Sequence, residues 1–448
     1  MAKGKHSMES RMREIRTYGL MRGKSHRRQR RGMGLYSTKK LMIGIVAAVA
    51  MTGCCTQPCN GIKDSGTTYV ADALAPYVES GELPGAVSII YKDGVTETAC
   101  VGYADVAAKR RITADDVYMQ CSQTKGFCGV TVAKLVEEGK LDLDDPVSKY
   151  LPEFKTLWVE VKSGVDGERK LVRAKNALTV RMCLNHTGGL PFELPNFRAM
   201  GGWSRRMPIR SVAGTAAACP LSFEPGTKVQ YSNLGIDIGA AVVEIVTGMR
   251  WEDYLKKEVL DPLGMESTWF WPTDGQLKRQ IEIYECHADA PATWLSCGKS
   301  MSMQRPYNDR FVFASAGAGL WTTVHDQYKF YKMLMNLGVG DNGARILKEE
   351  TVKSILAVST RPKGLGGYSL GLVAPEPDKD GEEAWFGHGG AWGTNCMVNW
   401  RKKQLKLWAV QLCGGPRPWE KPRDAAADAF FKAKVYSSGV DAYTGREK

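Results

Sequence analysis

Histidine is scarce in this chain, and neither its histidines nor its cysteines are spaced as metal ligands. Only six of the 448 residues are histidine, and the four beyond residue 40 lie far apart without the HExxH spacing of zinc enzymes. The twelve cysteines include no CxxC pair. The sequence therefore predicts no metal centre and no zinc module.

Excess charge is also scarce once the N-terminal segment is set apart. The formal net charge is +13, of which residues 1–40 contribute +11. The remainder is nearly neutral and lacks the basic surface that nucleic-acid binding requires. We therefore expect no nucleic acid among the partners. With 43% hydrophobic and 24% charged residues, the composition is that of an ordinary globular protein.

Residues 41–51 (LMIGIVAAVAM) form an apolar run that is too short to cross a bilayer, which takes about 20 residues. Two lysines precede this run and Thr-Gly-Cys follows it. This order is typical of an export signal, starting at Met1 or Met33, although a buried segment of the fold is the alternative. The Met-Thr-Gly-Cys sequence resembles the lipobox of bacterial lipoproteins. That resemblance implies a lipid on Cys54, and hence membrane attachment at a periplasmic or cell-surface location.

The patterning divides the chain into three parts. Residues 1–53 are the basic segment and export signal, residues 54–66 a polar tether, and residues 67–440 one folded domain. Strand patterns occur at both ends of this domain and helical patterns in its middle, at about 122–340. We therefore expect an α/β (α+β) fold, in which N- and C-terminal strands pair into one antiparallel sheet flanked by helices, beside a mostly helical lobe.

Local patterns locate the expected elements. Two strand-like runs on either side of an Asp-Gly turn predict a hairpin, and apolar residues three or four apart predict a helix. The expected elements are a helix at 68–80, hairpins at 86–101 and 157–173, strands at 368–373, 384–387, 395–400 and 405–412, and a helix at 422–436.

Three Ser-x-x-Lys sequences occur, beginning at Ser37, Ser122 and Ser296. Ser37 lies in the export signal, and no helical pattern follows Ser296. Ser122 opens a helical pattern that places Lys125 on the same face one turn later. An amine at this position can activate the hydroxyl if burial lowers its pKa. The alternative is a polar helix start with a solvated lysine.

Tyr231-Ser-Asn233 is the only Tyr-x-Asn sequence in the chain. It lies between a turn pattern and an apolar helical run, which predicts a loop held at both ends. A phenol near a cationic lysine can relay protons, and an amide can bind both the lysine and a substrate. The alternative is a core tyrosine beside a helix-capping asparagine.

His388-Gly389-Gly390-Ala391 follows a strand-like stretch. Two glycines let a substrate backbone approach the strand. The N–H groups of Ala391 and Ser122 can form an oxyanion hole for a tetrahedral intermediate. The alternative is a glycine-rich turn with an incidental histidine.

In this order, the three motifs resemble those of the serine β-lactamase and DD-peptidase superfamily, in the branch with class C β-lactamases, DD-carboxypeptidases and related esterases. The resemblance covers about residues 68–435. Sequences between the motifs add to it. These are VEEGKLDLDDPV from 136, LNHTGGLP from 184, FEPG from 223, LDPLGM from 260 and AGAGL from 316.

The resemblance implies a role for each motif residue. Ser122 would be the acylated nucleophile, and Lys125 and Tyr231 would share proton transfer. Asn233 would orient Lys125 and the substrate, while His388 would assist binding or proton delivery. Neither a metal nor an organic cofactor is implied.

Two departures from the family pattern bear on the substrate. His388 stands where class C β-lactamases have lysine, and Gly389 stands where the family has a threonine that contacts a substrate carboxylate. Both favour an esterase or D-amino-acid peptidase acting on a small molecule or peptide. The alternatives are a class C type β-lactamase and a non-catalytic penicillin- or peptidoglycan-binding lipoprotein.

Overall fold

The computed structural model describes residues 66–162, 169–195, 207–286, 295–296, 313–357, 367–374, 385–414 and 418–433. The chain divides into Met1–Thr52 and Gly53–Lys448, and every described residue lies in the second unit. The predicted export signal, the tether and Cys54 lie outside the described residues.

Fifteen strands occur within the described residues, and eight of them form one sheet in the order β10-β11-β12-β13-β14-β1-β2-β3. The strands are β1 (Gly85–Lys92), β2 (Val95–Asp105), β3 (Arg110–Arg111), β4 (Tyr118–Met119), β5 (Trp158–Lys162), β6 (Arg169–Arg173), β7 (Tyr284–Cys286), β8 (Leu295–Ser296), β9 (Trp321–Thr322), β10 (Gly367–Tyr368), β11 (Val373–Ala374), β12 (Phe386–Gly389), β13 (Asn395–Asn399), β14 (Gln404–Ala409) and β15 (Leu412–Gly414).

Ten α-helices are described, and none of them is both long and apolar enough to cross a membrane. Short 3₁₀ turns occur at Cys121–Gln123, Val147–Lys149 and Pro152–Lys155, and a π turn at Lys256–Leu260. The helices are α1 (Tyr69–Glu79), α2 (Thr124–Glu137), α3 (Val180–Leu184), α4 (Ile209–Ala216), α5 (Asn233–Thr247), α6 (Trp251–Leu255), α7 (Asp274–Leu277), α8 (Val324–Met335), α9 (Glu349–Ile355) and α10 (Glu420–Lys432).

The large sheet joins the two ends of the domain. Strand β1 pairs antiparallel with β2 and with β14, where Val87 lies opposite Ala409. Successive side chains of a strand point to opposite faces. Accordingly, Ile89 packs into the core that contains α2 and α8, whereas Ile90 packs beneath α1 and α10. This confirms the predicted fold class, an antiparallel sheet of N- and C-terminal strands flanked by helices.

A mostly helical region lies in the chain between β4 and β10. Helices α3, α4 and α5 enclose a second hydrophobic cluster that includes Cys183, Val212 and Ile238. The β5–β6 hairpin adds Val159 to this cluster. The region therefore has a core of its own beside the sheet.

Most local predictions agree with the structure, but the strand predicted at 368–373 was wrong. Glycine at position 371 has φ +71°, a left-handed conformation that breaks the segment into β10 and β11. Strand β12 also begins and ends later than predicted, so His388 and Gly389 belong to the strand itself. Both hairpins and the terminal helix are present, with shifted bounds.

Glycines allow the 370–372 segment to lie directly against α2. A Cβ added at Gly129 would overlap the carbonyl oxygen of Leu370, and one added at Gly371 would overlap that of Lys125. At Gly126 it would lie 2.8 Å from Cδ2 of Leu372. The contact is therefore between backbones, with no room for a side chain.

Replacing Gly129 with alanine should destabilise the protein although alanine is the better helix former. Helix propensity favours alanine by about 1 kcal/mol, but overlap with a fixed carbonyl costs roughly 1–3 kcal/mol or more. Gly214→Ala in α4 is the matched control, since its Cβ would lie 3.5 Å from Glu153 Oε1 in ordinary contact. Thermal unfolding of both variants tests this. Equal stabilisation by both substitutions would contradict the packing described.

Candidate active site

Ser122 lies in the 3₁₀ turn Cys121–Gln123, which runs directly into α2. Cys121 adopts φ +52°, a conformation that costs a non-glycine residue on the order of 1 kcal/mol. Thr124 Oγ1 donates to the Cys121 carbonyl at 2.7 Å. The turn leaves Ser122 partly exposed and places Lys125 in the first turn of α2, with no exposed surface.

The Lys125 amine lies among three polar atoms. Its Nζ is 3.1 Å from Ser122 Oγ, 2.6 Å from Asn233 Oδ1 and 2.5 Å from the Gly317 carbonyl oxygen. A neutral amine has two hydrogens and one lone pair. When the hydrogens are donated to Asn233 and Gly317, which can only accept at these oxygens, the lone pair faces Ser122. This is the geometry of a general base beside a nucleophile.

Burial lowers the pKa of Lys125 from its usual range to about 7, and the Asp237 carboxylate is the largest effect in the opposite direction. Desolvation penalises the ammonium because water no longer stabilises its charge. A substantial fraction of the amine is therefore neutral near pH 7.

Tyr231 lies over the amine, with its ring centroid 4.7 Å from Lys125 Nζ. Burial raises the pKa of Tyr231, although a hydrogen bond with Ser122 acts in the opposite direction. The ring packs against those of His186 and Phe192, at centroid distances of 4.6 and 6.1 Å. The phenol therefore keeps its proton near neutral pH and is fixed in place by aromatic neighbours.

His388 lies on β12 and faces the same phenol. Its Nδ1 is 2.6 Å from the Gly389 carbonyl oxygen, an acceptor that requires a proton on Nδ1. Its Nε2 is then unprotonated and lies 3.5 Å from the Tyr231 hydroxyl. Burial and the positive charge of Lys125 lower the pKa of His388 to about 3. The imidazole is therefore neutral, with an acceptor directed at Tyr231.

The end of β12 directly contacts the 3₁₀ turn that carries Ser122, here called the nucleophile turn. A Cβ added at Gly390 would overlap Thr394 Oγ1 and lie 2.5 Å from the Gln120 carbonyl oxygen. Burial raises the pKa of the Cys121 thiol in this turn to about 12, while the backbone of residues 391–392 acts in the opposite direction. Ser122 and Ala391 are thus on neighbouring segments, while the role of their N–H groups as an oxyanion hole stays a prediction.

The structure thus brings all eight residues predicted from sequence to one place. The roles assigned to them stay predictions. In the part of the chain that the structure describes, no three His, Cys, Asp or Glu side chains come together as a metal site. The side chains brought together are of the kinds that a nucleophile, a general base and a proton path would require.

Four further residues of the site were not assigned a role from the sequence. Gly317 and His186 lie in the AGAGL and LNHTGGLP sequences, and the family resemblance of these sequences was the signal that could have identified them. His186, with φ +65°, accepts the Ser232 N–H at Nδ1, 3.2 Å away. For Gln123 and Asp237, the only signal in the sequence was that each lies in or close to one of the three motifs.

Gln123 connects the nucleophile turn to two other elements. Its Nε2 donates to the His388 carbonyl oxygen at 3.1 Å, and its Oε1 accepts from Gln327 Nε2 of α8 at 2.6 Å. Both glutamines are fully buried. The pair therefore fixes β12 relative to the turn that carries Ser122.

Comparison with known sequences gives a family and a relative. Residues 70–429 match the family described as Beta-lactamase. Protein Rv1367c of Mycobacterium tuberculosis is 27% identical over 363 residues, which cover 75% of this chain and 87% of that protein.

Solved structures show the same fold. The LovD6 mutant of simvastatin synthase from Aspergillus terreus gives a TM-score of 0.66 at 22% identity, over 81% of this chain and 96% of that one. EstCE1, described as a hydrolase with promiscuous acyltransferase activity, gives 0.65 at 21% identity, over 80% and 98%.

Acylation of Ser122 by p-nitrophenyl acetate should depend on pH. Lys125 is a base only when neutral, so the rate should rise about tenfold per unit at low pH and level off above about 7, the pKa to which burial lowers the amine. Intact-mass measurement of the acyl-enzyme across pH 5–10 tests this.

Lys125→Met is the control, because it keeps the buried volume and removes the base. We expect acylation to be about 100-fold slower or more, and its pH–rate profile to lack the acid limb, the rise in rate that levels off near pH 7. A wild-type limb centred at pH 10 would show instead that the amine is charged and solvated.

Proposed function

The chain belongs to the beta-lactamase family, and we propose that the protein is a serine hydrolase that cleaves an ester or amide bond through an acyl-enzyme on Ser122. The observation that carries this proposal is the position of Lys125. Its Nζ, on a fully buried side chain, lies 3.1 Å from Ser122 Oγ and closer still to two acceptors, Asn233 Oδ1 at 2.6 Å and the Gly317 carbonyl oxygen at 2.5 Å.

Acylation follows from this arrangement. Lys125 takes the hydroxyl proton while Ser122 Oγ forms a bond to the substrate carbonyl carbon. The carbonyl oxygen becomes an oxyanion, stabilised by the N–H groups of Ser122 and Ala391. The bond to the leaving oxygen or nitrogen then breaks, and that atom takes a proton from Tyr231, which is restored from Lys125.

Deacylation uses the same groups in reverse. A water attacks the ester carbonyl of the acyl-enzyme, and its proton passes by way of Tyr231, beside His388, to the neutral amine of Lys125. The unprotonated Nε2 of His388, 3.5 Å from the Tyr231 hydroxyl, supports this path. The bond to Ser122 Oγ breaks, and the serine regains a proton from Lys125.

We further propose that the preferred substrates are esters without a carboxylate next to the scissile bond. Gly389 offers no hydroxyl for such a carboxylate. The walls near Ser122 are aromatic: Tyr231, Tyr368 and Phe192, the last 50% exposed. One protein of similar fold, EstCE1, is described as a hydrolase with acyltransferase activity. An amide substrate and a β-lactam remain the alternatives that the experiments below separate.

Ser122→Ala should abolish turnover of a p-nitrophenyl ester, with a loss of about 1,000-fold or more, because no nucleophile remains. Purified protein is mixed with p-nitrophenyl butyrate, a D-Ala-D-Ala peptide or nitrocefin, and adduct mass and product are followed together. Ser296→Ala, in another Ser-x-x-Lys sequence, is the matched control and should retain full activity.

Each outcome of this panel has a definite meaning. An adduct on Ser122 with many equivalents of product released per enzyme identifies a hydrolase and its substrate class. An adduct that persists for hours, with no more than one equivalent of leaving group released per enzyme, identifies a non-catalytic penicillin-binding protein instead. Unchanged ester turnover in Ser122→Ala would refute the proposal.

Gly389→Thr should raise the reactivity of carboxylate-bearing donors relative to neutral esters. A Cβ at this position would lie 3.5 Å from Asn395 Nδ2 and 3.6 Å from the Thr394 carbonyl oxygen, so a side chain fits. One added hydrogen bond to a carboxylate predicts about a tenfold change in the ratio of kcat/KM values.

Gly390→Thr is the matched control, because its Cβ would overlap Thr394 Oγ1. It should lose activity towards every donor. An unchanged ratio in a stable Gly389→Thr variant would show that this position does not select the substrate.

A further inference from the structure

Asp237 is a buried carboxyl group in an apolar helix, with 4% of its surface exposed. It lies on α5 one helical turn beyond Asn233, among buried neighbours such as Ile236 and Ile238. Burying a carboxylate is costly unless other groups compensate its charge. Its presence therefore calls for partners inside the fold.

Those partners belong to the segment that holds the Lys125 amine. The Gly317 N–H donates to Asp237 Oδ1 at 3.1 Å, and Ser315 Oγ lies 3.3 Å from the same oxygen. On its other side, the Gly317 carbonyl accepts from Lys125 Nζ at 2.5 Å. The backbone of Gly317 thus connects the two groups, with its N–H bound to the Asp237 carboxylate and its carbonyl bound to the Lys125 amine.

Gly317 has no freedom to move towards α5. A Cβ added to it would lie 2.8 Å from Cβ of Asn233 and 3.0 Å from its Cγ. Asn233 is the other acceptor of the Lys125 amine. The orientation of the Gly317 carbonyl therefore depends on contacts with two residues of α5, one turn apart.

Several titratable groups face Lys125 from the elements around it. Asp237 has the largest opposing effect on the lysine, ahead of partly exposed Glu193. Burial lowers the pKa of His186 well below its usual range, so it carries no charge. The facing groups are Cys121, Cys128, His186, Glu193, Tyr231, Asp237 and His388.

We propose that Asp237 is a positioning residue for acyl transfer. It holds the Gly317 carbonyl against the Lys125 amine, and its negative charge offsets the positive charge of the Lys125 ammonium. This inference rests on the proposed function, and it assigns part of the control of the base to a residue outside the three motifs.

The electrostatics agree with this geometry. Burial raises the pKa of Asp237 to about 7, while Gly317, Lys125 and Ser315 act to lower it. Burial lowers the pKa of Lys125 to about the same value. The two groups therefore titrate together, as a coupled pair. Removing the carboxylate removes an effect that raises the pKa of the lysine, so the lysine should become neutral at lower pH.

Asp237→Asn tests the inference, because an amide oxygen can still accept from Gly317 while the charge is lost. The acid limb of Ser122 acylation should move to lower pH by about one unit. The rate at high pH should stay within about tenfold of wild type. NMR titration of ¹³Cε-labelled lysine, with Lys125 assigned by Lys125→Met, should show the same shift without relying on activity.

Two matched variants separate charge from structure. Glu193→Gln removes the other facing carboxylate and should shift the limb less. Asp326→Asn removes a buried carboxylate whose partners include Ser267 N, at 2.6 Å, and Lys329, and should lower stability without a shift. Equal shifts in all three variants would overturn the inference.

If Asp237→Asn does not fold, Ser315→Ala replaces it. This variant removes one donor to the carboxylate and should shift the limb in the same direction by less. Suppose that the wild type acylates, and that the variant shows the same acid limb and the same lysine titration as the wild type. That result would overturn the inference about Asp237 and leave the proposed function standing. A wild type that never acylates would refute the proposed function, and the NMR titration would still decide the role of Asp237.

Discussion

An amine acts as a base near pH 7 only where water cannot stabilise its ammonium form, and Lys125 has no exposed surface. Such burial is possible only if other groups replace the lost water. Asn233 on α5, the Gly317 carbonyl and Ser122 do so from three separate segments. The requirement to bury one nitrogen therefore determines how these segments pack around the start of α2.

The same burial accounts for the glycines on the other side of α2. Gly371 lies against the Lys125 carbonyl, and Gly129 against that of Leu370. Backbone contacts this close leave no space for water between the helix and the 370–372 segment. Tyr368, in the adjoining strand β10, packs against the aromatic rings beside Ser122. Glycine at these positions thus contributes to the dry surroundings of the amine.

The parts of the structure that depend on neighbours in sequence were predictable, and the parts that depend on distant contacts were not. The β1–β2 hairpin follows from two strand-like runs on either side of Asp93-Gly94, and α2 from apolar spacing. The break at Gly371 depends on contact with α2, which no local pattern records. Asp237 resembled an ordinary polar position of an apolar helix, because its partner Gly317 lies 80 residues away.

The pairing of β1 with β14 has a consequence for how the protein folds. Val87 lies opposite Ala409, so the central strand pair closes a loop of more than three hundred residues. Contacts of such long range make folding slow, since the entropy of loop closure is lost before the contacts form. During synthesis, β1 has no partner on this side until residue 409 has been made. The nascent chain therefore exists for a time without the complete set of segments that surround Ser122.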